Sequence, residues 1–197
     1  MFPITAPTTR KFALPLVLAL AATGFAQNAS APAAPAASSA PKIDDQNAFI
    51  VVGISVRTNN TKEAGGQGEI PQLWQNAMQN GTLDQVQNKA DNALMVVYTD
   101  YATDHTGDYN YTLGYKVTSA DKIPAGMVAK TVHAGKYASF TSAQGAPQEV
   151  IPALWQRINT MTPEQMGGTR AYQTDFETYA NVADFGNMQV TAHIGLK

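Results

Sequence analysis

Cysteine is absent from all 197 residues. That excludes thiol catalysis, disulfide staples and a lipidated N-terminal cysteine, so any folded region must hold by packing alone. Histidine is scarce: His105, His133 and His193 lie far apart, and no H-E-x-x-H pair occurs. Also missing are a G-x-S-x-G elbow and a glycine-rich phosphate loop, which removes the commonest serine-hydrolase and nucleotide patterns. No apolar stretch, the run near the start included, is long enough for a typical membrane span. Tryptophan occurs only twice, at Trp74 and Trp155.

The one apolar run is informative. In "TTRKFALPLVLALAATGFAQ", Arg10 and Lys11 precede an uninterrupted apolar stretch from Phe12 to Ala22, followed by the small residues around Ala26. This is the layout of a secretory signal peptide over 1–26, with a core too short for a typical membrane span. The stretch 27–46, "QNASAPAAPAASSAPKIDDQ", is nearly all Ala, Pro and Ser and reads as a disordered tether. The expected folded domain is therefore 47–197, in an exported, soluble protein of the periplasm or medium. Removing Arg10 and Lys11 from the 13 basic residues leaves 11 against 15 acidic ones, a net charge of −4. That balance argues against a nucleic-acid partner, which calls for a basic stripe.

The two tryptophans sit in near-copies of one hexapeptide, "IPQLWQ" at 70–75 and "IPALWQ" at 151–156. The same offset of 81 residues, without a gap, also places Tyr98 on Tyr179, Gly114 on Gly195 and Lys116 on Lys197. Such a period is too long for a solenoid and indicates one duplicated module, with repeats at about 47–118 and 127–197. In the first copy "FIVVGISVR" is a strand by its β-branched alternation. "EIPQLWQNAMQNG" is an amphipathic helix with Ile70, Leu73, Trp74, Ala77 and Met78 on its apolar stripe. Pro71 suits its first turn and Gly81 its end. "ALMVVYTDY" and "YNYTLGYKV" are strands, the latter with Tyr109, Tyr111, Leu113, Tyr115 and Val117 on one face. The second copy runs through the strand "MVAKTVHAGKYASFTS", the helix "APQEVIPALWQRINTM", and the strands "RAYQTDFETYA" and "MQVTAHIGLK". The expected fold class is thus α+β: duplicated β-α-β-β modules about a pseudo-twofold axis, an antiparallel sheet, two helices on one face and a groove along the axis.

Positions where the copies differ are candidates for function. In "AYQTDFETY", Tyr172, Thr174, Phe176 and Thr178 alternate with Gln173, Asp175, Glu177 and Tyr179. The first set, with its two aromatics, suits the helix-covered core, and the second is expected to face the groove. Glu177 then stands where the first copy has Val96, between the symmetry-related Tyr98 and Tyr179. Glu177 is either a carboxylate in an aromatic-lined groove, which attracts a cation, or a solvated glutamate on an open sheet face.

With these residues in hand, the chain resembles the gyrase-inhibitor-like (GyrI-like) effector-binding domains found in AraC-type and MerR-type multidrug regulators. The features that carry the resemblance are "FETY", "YTLGYKV", "AGKYASFTSAQG" leading into a helix, and the doubled layout, over roughly 49–197. It implies a groove for small hydrophobic or cationic molecules, with Glu177 as counter-charge and Tyr179 as its aromatic neighbour. It also favours Tyr137 as groove-facing. Some standalone relatives hydrolyse strained electrophiles with the same glutamate, so a hydrolase with Glu177 as general base is the alternative. A protein-interaction role follows from the gyrase-binding members, but export removes that partner. Unlike the regulators, this sequence shows no DNA-binding domain.

Other candidates are weaker. Trp74 and Trp155 either line the groove or pack the core, since both lie on the apolar helix stripe. "TDYATDHTGDY" gathers Asp100, Asp104, His105 and Asp108, but without a calcium-loop rhythm, and reads as a polar hairpin. Haem binding through His133 or His193 is a minor alternative. No nucleotide or metal cofactor is implied, and no membrane anchor.

Overall fold

The computed structural model describes residues 40–180, 182–184 and 186–197. The expected leader and the tether up to residue 39 lie outside them. The chain opens with β1 (Lys42–Gln46) and β2 (Phe49–Thr58), then α1 (Asn60–Ala64), α2 (Ile70–Gln79) and a 3-10 turn (Thr82–Gln85). Strands β3 (Lys89–Thr99), β4 (Tyr109–Val117) and β5 (Val128–Val132) follow. The rest is β6 (Gly135–Thr141), α3 (Pro147–Asn159), α4 (Pro163–Met166), β7 (Arg170–Ala180) and β8 (Gln189–Leu196).

All eight strands join one antiparallel sheet in the order β1-β6-β8-β7-β3-β4-β2-β5. The order reads the same way outward from the central β7–β3 ladder, so the sheet is pseudo-twofold about that pair. The offset of 81 residues carries β3 onto β7 and the 3-10 turn onto α4, end to end. It even carries the irregularity between Lys89 and Leu94 onto that between Arg170 and Asp175. In the central ladder Val96 stands directly opposite Glu177. The pseudo-axis therefore passes through the one pair whose two members are each other's counterparts and differ in charge.

Four sequence expectations are corrected. First, β4 and β8 do not correspond at the 81-residue offset. Val96 pairs with Leu113 but Glu177 with Ala192, so Gly114 matches His193 rather than Gly195, and Lys116 matches Gly195 rather than Lys197. The second hairpin closes two residues sooner, with Ala180 opposite Gln189 where the first has Thr99 opposite Asn110.

Second, residues 42–46 of the expected tether form β1, paired with β6 from Lys42↔Ser139 to Gln46↔Gly135. The ladder is made by backbone groups at a sheet edge, and most of the side chains stay exposed, so no apolar pattern advertised it.

Third, the expected single strand 127–142 breaks at His133–Ala134. β5 extends the outer side of β2 while β6 enters the other half between β1 and β8. Gly135, at φ +157°, turns the chain there in a conformation that side chains avoid.

Fourth, the face assignment on β7 is reversed. The core beneath α2 and α3 includes Leu73, Val96, Leu113, Leu154, Ile158 and Tyr179, and Glu177 belongs to that side. Phe176 packs on the opposite face with Val51, Met95, Val97, Val132 and Tyr137. Both faces of the central strands are buried, so aromatic content does not say which one the helices cover.

The helices follow from their patterns. α2 buries Leu73 and Ala77, and α3 buries Val150, Leu154 and Ile158 at fourfold spacing. Met78, expected on the α2 stripe, is 45% exposed, because the stripe is narrower than the sequence suggested. Past the end of α2, Gly81 takes φ +60°. No helix among the described residues is long and apolar enough to cross a membrane.

Candidate functional site

Glu177 is fully buried at the centre of β7. One carboxylate oxygen, Oε1, accepts a bond from the Tyr98 hydroxyl at 3.0 Å and another from the Trp155 indole N–H. The other, Oε2, accepts from the Tyr179 hydroxyl. The three donors come from β3, α3 and β7, so the site is assembled by the sheet centre and one helix together. All three are neutral. Burial pushes the Glu177 carboxyl above its ordinary value of 4.5, and the bonds from Tyr179, Trp155 and Tyr98 pull against that rise. The Tyr98 and Tyr179 hydroxyls are held well above the usual phenol value, by burial first and by the Glu177 charge second. They stay protonated and donate.

Around the carboxylate stands an aromatic cage. Trp155 packs edge-on to Tyr98 with centroids 4.9 Å apart, and Trp74 packs edge-on to Tyr179 at 5.3 Å. Each tryptophan thus rests on the tyrosine of the other half. The Trp74 indole donates to the Tyr111 hydroxyl at 2.7 Å, and the Tyr111 ring meets Tyr98 at 5.2 Å. Tyr109 adds a further contact to Tyr98 at 5.5 Å. Both tryptophans are half-buried while the tyrosines and Glu177 are buried, so the indoles form the roof and the tyrosines the walls.

Of the residues singled out in the sequence, Glu177, Tyr179, Tyr98, Trp74 and Trp155 come together here. Tyr137 does not. It lies on the far face of the sheet, edge-on to Phe176 at 5.4 Å, with its hydroxyl donating to the His133 carbonyl at 2.9 Å. Asp175, on the same face as Glu177, is paired instead with the buried Arg170 at 2.6 Å and accepts from Tyr101 at 2.6 Å. Sequence reasoning passed over Tyr111, Tyr101 and Arg170. The first shares one strand face with Tyr109 in the sequence pattern, but nothing in the sequence ties that face to Glu177. Arg170 could not be placed from sequence, because the irregularity in β7, with Tyr172 at φ +52°, folds it back onto Asp175.

The remaining candidates are engaged elsewhere. Asp100 is bonded by Lys130 at 2.7 Å and by Asn110 at 2.6 Å, and its carboxyl is held down at about 2 by these partners. Among the described residues no group of three or more acidic or histidine side chains is placed to hold a metal ion. His193 stacks on Phe176 at 4.2 Å and bonds Ser139 at 2.9 Å, and burial takes its pKa down to about 4. His133 bonds Thr174 at 2.8 Å. A surface cavity of about 420 Å³ runs between α2 and β2 along Ile54, Val56, Gln72, Leu73 and Asn76. It does not include Glu177. The carboxylate, with its convergent donors, is the better candidate site.

A doubled β-α-β-β sheet with a buried glutamate under two helix-borne tryptophans defines a GyrI-like effector-binding domain. Comparison with known proteins agrees. The profile described as "Integron-associated effector binding protein", Cass2, matches residues 42–195. The chain belongs to this Cass2 family of integron-associated effector-binding proteins. It is 28% identical over 147 residues to YobU of Bacillus subtilis (strain 168), a candidate transcriptional regulator by its name, covering 74% of this chain and 90% of that one. Among solved structures it is similar to the integron cassette protein VCH_CASS2 of Vibrio cholerae, with a TM-score of 0.61 and 26% identity. That match covers 79% of this chain and 95% of the other. The fold is shared with SAV2435, whose structure is that of a complex with tetraphenylphosphonium, at a TM-score of 0.63 and 20% identity. Coverage there is 80% of this chain and 93% of that one.

Proposed function

We propose that this protein binds small hydrophobic cations in the aromatic chamber under Trp74 and Trp155, with Glu177 as the counter-charge. The observation that carries this is a fully buried carboxylate met only by neutral donors. Such a group is costly to keep unless something cationic completes it. The surrounding indole and phenol faces add cation–π attraction for the same ligands. Entry requires the half-buried tryptophans to move aside. Tetraphenylphosphonium, held by the structural neighbour SAV2435, is of this chemical class. Binding is favoured over hydrolysis because Glu177 already accepts two bonds on Oε1 and one on Oε2 from packed aromatic side chains, which crowd the place an aligned water would need.

We further propose that the repeat is an internal duplication and that the protein is exported after removal of 1–26. Intact mass of the secreted protein should start at Gln27, and retention of Met1 would contradict export.

A thermal-shift screen of the domain against lipophilic cations and neutral compounds of like shape tests the binding itself. A ligand at 100 times its Kd stabilises by about 2.7 kcal/mol, a shift easily read. At the same ligand concentration, stabilisation by cations should fall by about 1–2 kcal/mol in Glu177→Gln, while any shift by neutral compounds stays the same. Equal shifts in parent and variant would overturn it.

A further inference from the structure

The two halves anchor their tryptophans differently. Beside Trp155, the buried Arg170 places its guanidinium over the indole at 5.3 Å and over Tyr172 at 4.5 Å. Its Nη2 and Nε reach Asp175 Oδ2 at 2.6 and 3.1 Å, and Nη1 donates to Asn159 at 3.0 Å. Asp175 also accepts from Tyr101 and, at 2.9 Å, from the Gly195 amide. In the first half the counterpart of Arg170 is Lys89, which lies over Tyr115 instead, 3.9 Å from the ring centroid. The counterpart of Asp175 is the apolar Leu94. Trp74 therefore has no such clamp.

Asp175 and Glu177 are two residues apart on one strand and face the same way, so their carboxylates are about 7 Å apart. Only the first is neutralised by an ion pair. We propose that Arg170 is a positioning and specificity-determining residue. It holds the Trp155 indole with its N–H on Glu177, and by cancelling Asp175 it leaves the chamber one uncompensated charge, so the site selects monocations over dications. This rests on the cation-binding function proposed above.

Ethidium and propidium test it, because they share one aromatic ring system and differ by an added cationic arm. Their affinities are measured for the parent, Arg170→Met, Arg170→Lys and the double variant Arg170→Met/Asp175→Asn. Arg170→Met frees a second carboxylate and should shift the propidium-to-ethidium preference by at least about tenfold towards propidium. The double variant removes that carboxylate and should restore the parental preference, which a merely structural role would not do. Arg170→Lys should keep the preference but loosen the indole. In a Trp74→Phe background, where Trp155 is the only tryptophan, that appears as a red shift of emission.

An unchanged preference in folded Arg170→Met, or no restoration in the double variant, overturns the proposal. If Arg170→Met does not fold, Asp175→Asn decides. It leaves the Arg170 charge unmatched and should weaken propidium more than ethidium, whereas equal weakening overturns the proposal. If the parent binds neither dye, the cation-binding function falls and this inference with it. If Glu177→Gln weakens both dyes while Arg170→Met leaves their ratio alone, only the role of Arg170 is lost.

Discussion

Glu177 accepts bonds from three neutral donors, and among the described residues no cation pairs with it. Because its carboxyl sits above the ordinary value of 4.5, the folded protein binds this proton more tightly than the unfolded chain does. Stability from this group is therefore full below that value and falls as pH rises through the folded pKa. Glu177→Gln removes the dependence. Gln can still accept from Tyr98 and Trp155 and donate to the Tyr179 oxygen. The variant should gain in Tm over the parent as pH is raised above about 4.5, and a gain that shrinks with pH would contradict the burial argument. Trp155→Phe takes a donor from a buried carboxylate and should destabilise by roughly 1.5–3 kcal/mol. Trp74→Phe loses a neutral bond to Tyr111 and should lose only about 1 kcal/mol of that bond's worth, both read by urea unfolding. The heart of this site was legible because a repeat supplies its own reference: Val96 marked Glu177 as the odd member. Tyr137 was favoured as groove-facing by the resemblance alone, and no residue pattern in β6 told its two faces apart. Arg170 was hidden by the irregularity that folds it onto Asp175.

The elements that hold the chamber have their own weak points. α2 has no side-chain cap of its own, and Glu63 of α1 serves instead. It accepts from the Glu69 and Ile70 amides at 3.1 and 3.4 Å and from the Thr58 hydroxyl at 2.5 Å. Glu63→Ala should lower stability by about 1 kcal/mol, as loss of an N-cap does. Hydrogen exchange should quicken in α2 rather than α3; uniform quickening would contradict local capping. Between β2 and β4, Gly53 faces Gly114, and a Cβ on Gly53 would lie 2.0 Å from the Leu113 carbonyl oxygen. Neither backbone can give way, so Gly53→Ala should destabilise by about 3 kcal/mol or more in chemical denaturation. Helices and inner strands were legible from periodicity, since each buries a stripe. β1 was not, because its ladder is backbone at a sheet edge. The break between β5 and β6 was not either, because a two-residue link interrupts β-branched alternation very little.

At the scale of the whole molecule, two similar halves meet along β3 and β7 and pool their tryptophans and tyrosines around one buried glutamate. Near-symmetry places this aromatic cluster at the centre of the sheet, and its breaking at Val96 and Glu177 puts a single carboxyl group there. The net charge of −4 expected after loss of the leader adds a weak long-range attraction for cations. It does not account for the proposed selectivity for cations, which is assigned to the buried carboxylate. Isothermal titration of the parent and Glu177→Gln with tetraphenylphosphonium, at one pH and one salt concentration, tests this most directly. Triphenylphosphine oxide serves as the neutral aryl control. The cation should bind the variant with about 1–2 kcal/mol less free energy, roughly 5- to 30-fold weaker. The neutral control should change little. Equal affinity of parent and variant for tetraphenylphosphonium would contradict the assignment of Glu177 as the counter-charge.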